Sequence, residues 1–100
     1  MPRLAMEVAH ALGQEEAARR LKDKFSSVKQ EHGDQVKDLR DQWEGNTFSF
    51  GFKTMGMKVE GTVSVEEDRV KLDARLPLAA MMFKGKIQQG IRDELGEVLS

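Results

Sequence analysis

The feature that most limits the fold of this chain is a strict alternation of apolar and polar residues through its second half. Met57, Val59, Gly61, Val63 and Val65 alternate with Lys58, Glu60, Thr62 and Ser64, and Val70, Leu72, Ala74 and Leu76 alternate with Lys71, Asp73 and Arg75. A period of two is the signature of strands with one face buried and the other in water. Residues 47–52 repeat it, with Phe48, Phe50 and Phe52 on one side, and Leu4, Met6 and Val8 repeat it near the N-terminus. The outward positions are charged or polar, so the implied sheet is antiparallel and covered on one face only.

Two helical patterns supply the cover. Ala17, Ala18, Leu21, Phe25 and Val28 recur at intervals of three and four after Gly13, with Glu15 and Glu16 in the first turn, where acids suit the positive end of the helix dipole. Gly33 is placed to stop this helix in a left-handed conformation. After Pro77 a second helix is predicted as far as Leu99, with Ala80, Phe83, Ile87, Ile91, Leu95 and Val98 as its buried stripe. Gly85, Gly90 and Gly96 weaken it, and their spacing suggests close backbone contact.

Residues 36–43 fit two patterns. Val36, Leu39 and Trp43 suit a continued helix, whereas the turn residues Glu44, Gly45 and Asn46 and the alternation beyond them favour a strand. With Trp43 opposite Phe48, alternation sends Asp41 inward, which suits an edge strand or a bulge. Four-residue loops would place Phe52 opposite Met57 and Val65 opposite Val70. Gly61 then falls between Phe48 and Ala74, leaving space above it, and Glu60 faces Arg75. The expected fold is α+β, in the order β-α-β-β-β-β-α, with both helices on one sheet face. It looks like a reduced helix-grip architecture and forms a single domain over residues 1–100.

The composition excludes several kinds of chemistry. The 100 residues include no cysteine and two histidines, which removes disulfides, thiolate metal sites and thiol nucleophiles. A formal net charge of −1 lacks the basic excess typical of nucleic-acid binding. No apolar run approaches the roughly 20 residues of a transmembrane helix, and no secretory signal pattern opens the chain, so the expected compartment is the cytoplasm. No cofactor motif is present: the glycines form no phosphate loop and no serine sits in a nucleophile elbow.

No catalytic or metal set assembles from what remains. His10 ends the first strand without an orienting acid or further ligands in view, so a structural role such as capping the first helix is expected. His32 suits the carbonyl end of its helix. Glu15 with Glu16, and Glu66 with Glu67 and Asp68, lie at a helix start and a hairpin tip, where acids are solvated rather than opposed across a pocket. The unusual stretch is Met81, Met82, Phe83, Lys84, Gly85, Lys86 and Ile87. Methionine side chains adapt to varied apolar partners. Met81 and Met82 cannot both point the way of Phe83 and Ile87, so one of them lies near solvent or a subunit contact. Met55 and Met57 flank a hairpin glycine. The candidate contact residues are therefore Met55, Met57, Met81, Met82, Lys84 and Lys86. Core filling, contact with a partner or polymer, and the mouth of a small-ligand site are the three readings of this set.

Several separated blocks carry a family likeness across nearly the whole chain. They are His10, Ala11, Leu12 and Gly13 with Glu16 and Ala17; Trp43, Glu44, Gly45, Asn46 and Thr47; Met55, Gly56 and Met57 with Val59 and Gly61; and Leu76 and Pro77 with Met82, Phe83, Lys84, Gly85, Lys86 and Ile87. In this order they resemble the small polyhydroxyalkanoic acid system proteins, a family named for genes near polyester-granule functions. The stretch from Lys29 to Asp41 is longer and more charged than the family pattern. The resemblance implies a bacterial cytoplasmic protein linked to storage polyester, with the granule surface or a granule-associated protein as partner, and it implies no catalytic residues. A non-enzymatic accessory protein is the leading expectation. A carrier holding an acyl chain or other apolar ligand between helix and sheet is the alternative, suggested by Gly61 and the phenylalanine row.

Overall fold

The computed structural model describes residues 3–100 of the chain. Its elements are β1 (Arg3–Ala9), α1 (Gln14–His32), β2 (Lys37–Glu44), β3 (Thr47–Thr54), β4 (Met57–Val65), β5 (Arg69–Arg75) and α2 (Lys84–Val98), with short 3-10 turns at Gly33–Gln35 and Leu78–Phe83. The strands form one antiparallel sheet in the order β1-β5-β4-β3-β2. Leu4, Met6, Val8, Phe48, Val63, Val65, Val70 and Leu72 are buried in one cluster with Ala17, Ala18 and Leu21 of α1 and Leu95 of α2. Both helices therefore cover the same face, as the alternation requires.

The aromatic residues hold α1 in place. Phe25 stacks on Phe48 with ring centroids 4.7 Å apart and on Trp43 at 6.3 Å, and Phe48 meets Trp43 at 5.1 Å. Residues 36–43 are thus resolved in favour of a strand. β2 is an edge strand, and its register with β3 shifts between Lys37 and Arg40, the irregularity that the inward position of Asp41 called for. Lys29 of α1 reaches down to Asp41 at 3.2 Å. Val28, assigned by periodicity to the buried stripe, is exposed. The last turns of α1 lie over edge strand β2, beyond which no sheet remains to meet an apolar side chain. Gly33 is also not a left-handed stop: its φ is −60°, and the helix tightens into a 3-10 turn instead.

The end of the sheet formed by the β4–β5 hairpin is thoroughly cross-linked. The backbone N–H of Gln14 donates to Glu67 Oε2 at 3.3 Å, so an acid from the hairpin sits at the positive end of α1, and Gln14 Nε2 donates to the carbonyl of Val65 at 2.8 Å. Arg20 donates to the carbonyls of Val98 at 3.2 Å and Ser100 at 2.7 Å, which gives the C-terminal end of α2 partners it cannot find within its own helix. Lys24 pairs with Glu94 at 3.0 Å. α1 and α2 are antiparallel across these contacts.

Two expectations about register and packing are corrected. Val65 faces Val70 and Glu60 faces Arg75, as read. The β3–β4 loop, however, has two residues rather than four: Thr54 faces Met57, and Phe50 rather than Phe48 faces Gly61. Met55 (φ 53°) and Gly56 (φ 75°) both take positive φ, the geometry of the tightest hairpin turn. The glycines of α2 do not mark close contact. A Cβ at Gly85, Gly90 or Gly96 would meet nothing within 4 Å, whereas one at Gly61 would fall 2.7 Å from the Asp73 carbonyl and 2.8 Å from the Phe50 ring.

One substitution therefore has opposite effects at two sites. Gly90→Ala is expected to raise unfolding stability in urea by about 1 kcal/mol, because it removes backbone freedom in an exposed helix without a clash. Gly61→Ala is expected to lower it by about 1–3 kcal/mol, because the central strand has no room for a methyl group. Acid sensitivity is a third outcome. Hydrogen bonds from Arg19 and then Arg20 hold the Glu16 carboxyl at about 2, below its ordinary 4.5. The folded value is the lower one, so the contribution is complete above pH 4.5 and is lost as pH falls towards 2. Carboxyl titration followed by NMR should place the Glu16 midpoint near 2. A midpoint at the ordinary value would mean that these bonds are not formed in solution.

Candidate functional site

His10 is fully occupied by structural bonds. Its Nδ1 accepts from the backbone N–H of Leu12 at 3.2 Å, which leaves Nε2 as the protonated nitrogen, donating to the carbonyl of Glu66 at 3.1 Å. The ring ties the end of β1 to the β4–β5 hairpin rather than capping α1, and neither nitrogen is left for a substrate or a metal. Among the described residues, no three His, Asp or Glu side chains gather in a cluster that could hold a metal ion. His32 is exposed and lies 3.8 Å from the neighbouring Glu31. The space expected above Gly61 is filled by the ring of Phe50 and the backbone of β5. Phe48, Phe50 and Phe52 stack on one another at 6.0 and 6.4 Å.

The opposite end of the sheet is different. Beyond Arg75, Leu76 is buried and Pro77 is extended, and the chain then winds through Leu78, Ala79, Ala80, Met81, Met82 and Phe83 in a 3-10 turn. Six consecutive apolar residues wound about a tight axis cannot all face one core. Ala80 and Met81 pack against it, while Leu78 is 77%, Met82 84% and Phe83 56% exposed. Of the two methionines, Met82 is thus the one in solvent. Phe83, expected in the buried stripe, is displaced because α2 begins only at Lys84, so the turn before it does not share the helical period that aligns Ile87, Ile91 and Leu95.

Lys84 is half-buried and Lys86 exposed in the first turn of α2, which contains no acid. Cations at the positive end of a helix are unfavourable, by roughly 0.3–1 kcal/mol each. Met57 is half-buried at the start of β4, and Met55, at the tip of the β3–β4 hairpin, is 91% exposed. Because β5 ends opposite Glu60, Met57–Val59 and their turn project past it, at the same end of the sheet from which the Leu78–Phe83 segment departs. The six candidate residues therefore divide among the β3–β4 hairpin, the 3-10 turn and the first turn of α2.

The residues that sequence reasoning passed over are Leu78 and Phe83. The run of six apolar residues behind a proline is the signal that could have exposed them. An open hollow of about 420 Å³ lies beside the hairpin, bounded by Asp38, Leu39, Arg40, Phe52, Lys53 and Lys58. No helix among the described residues is long and apolar enough to cross a membrane. A family model described as "Putative polyhydroxyalkanoic acid system protein" matches residues 4–99. No curated protein matches the chain.

Proposed function

The chain belongs to the polyhydroxyalkanoic acid system protein family, and from that membership we propose that it is a non-enzymatic accessory protein of the bacterial cytoplasm that docks on storage polyester through Leu78, Met82 and Phe83. The observation that carries this reading is the exposure of these three large apolar side chains within one six-residue 3-10 segment. Single exposed apolar residues are ordinary on protein surfaces, but a cluster of large ones on a single turn is a contact surface. Polyhydroxyalkanoates are aliphatic polyesters, whose irregular apolar surface suits adaptable thioether and alkyl groups better than a shaped pocket would. The family description ties the chain to the polyhydroxyalkanoate system.

The test is co-sedimentation with protein-free polyhydroxyalkanoate particles. Wild-type protein is expected in the pellet. A variant carrying Leu78→Ser, Met82→Ser and Phe83→Ser is expected to bind at least about tenfold more weakly, since each buried large apolar group contributes about 1.5–3 kcal/mol. Its thermal midpoint should stay close to wild type, because the replaced side chains are exposed. Wild-type protein that remains in the supernatant would end the proposal.

A further inference from the structure

The β3–β4 hairpin carries charge and strain that its own fold does not need. Lys37 of β2 faces Lys53 of β3, and Lys53 faces Lys58 of β4, so three lysines stand in one row across the uncovered face of the sheet. Like charges directly opposite one another in a sheet repel. Lys53 approaches Asp38 at 3.5 Å and Lys58 approaches Glu60 at 3.7 Å, both loose and exposed pairs. Lys37 and Arg40 have no ion-pair partner among the described residues. Arg40, Lys53 and Lys58 border the open hollow beside the hairpin.

The turn adds the second observation. A two-residue turn with both φ values positive favours Asn or Gly at its first position. Met55 occupies that position at φ 53° with its side chain 91% exposed. A large apolar residue in the left-handed region gains nothing there from burial and is disfavoured by its backbone.

We propose that this hairpin is an anchor for an anionic phospholipid layer. Met55 enters the acyl boundary, and Lys37, Arg40, Lys53 and Lys58 face the headgroup phosphates. Charge complementarity selects the anionic surface, and the apolar tip selects one with an oily interior. Single-stranded nucleic acid fits less well: its binding platforms stack bases on aromatic rings, and the outward positions next to the lysine row are Ser49, Gly51, Glu60 and Thr62. This assignment does not rest on the polyester reading, since it concerns a different element and a charged surface.

Flotation of the full chain with vesicles tests it. Binding is expected to phosphatidylcholine vesicles that contain phosphatidylglycerol and not to phosphatidylcholine alone, and it should vanish in high salt, where screening shortens the reach of each charge. Lys53→Gln with Lys58→Gln should weaken binding about thirtyfold, as each lysine at an anionic surface is worth about a fivefold change. Met55→Asn should raise the thermal midpoint, because it relieves the turn, and should still reduce vesicle binding. Equal binding to both kinds of vesicle would overturn the proposal, as would wild-type binding by either variant. So would tighter binding to single-stranded nucleic acid that the Met55→Asn variant retains. Polyester particles without lipid address only the Leu78–Phe83 contact, so failure of one reading is separable from failure of the other.

Discussion

The ring of Phe48 is the point on which the architecture turns. It is buried on β3, with Phe25 of α1, Trp43 of β2 and Phe50 of its own strand around it at centroid separations between 4.7 and 6.0 Å. Aromatic pairs at such distances add about 0.5–1.5 kcal/mol beyond the area they bury. Apart from the rings, the C-terminal half of α1 is tied to β2 by the Lys29–Asp41 pair, and an exposed ion pair is a weak fastening. An edge strand that carries a bulge and mostly charged residues cannot recruit a helix by itself. Trp43 and Phe48 do so together, one from each strand of the hairpin.

Alternation made the strands legible because each has one wet face and one dry one. β1 was readable to its ends, since Leu4, Met6 and Val8 are buried and the residues between them exposed. The β3–β4 loop was misread for a physical reason. A two-residue turn usually announces itself with Asn-Gly or Asp-Gly, and here the first position is methionine. Shifting the register by two residues preserves which face each side chain takes, so the inner face was assigned correctly while the opposing pairs were not. With Lys53 placed in a loop, the row it forms with Lys37 and Lys58 was invisible. The overall charge of −1 concealed the row as well, because a near-neutral sum says nothing about where the cations lie. Phe83 was lost through the opposite fault, a helical period extended into a turn that does not keep it.

The two ends of the sheet follow different rules. At the β4–β5 hairpin, local groups support one another: His10 uses both ring nitrogens, Glu67 meets the start of α1, and Arg20 meets the end of α2. At the other end, the local preferences are broken repeatedly. Lysines oppose lysines, a methionine occupies a left-handed position, cations open a helix, and large apolar side chains face water. Each departure is modest in energy. Sequences that specify a fold agree with themselves from level to level, and their disagreements collect where something other than folding is selected.

Placement gives these departures a common meaning. The turn at Met55 and the segment Leu78–Phe83 leave the same end of one hydrogen-bonded sheet, the segment following Leu76 and extended Pro77 beyond the last paired residue of β5. Two weak contacts carried on one frame would engage an extended surface together, the second forming without the entropy loss of a new encounter. A small ligand would meet only one of them. On the two proposed readings, an extended surface with apolar substance beneath a charged boundary would meet both.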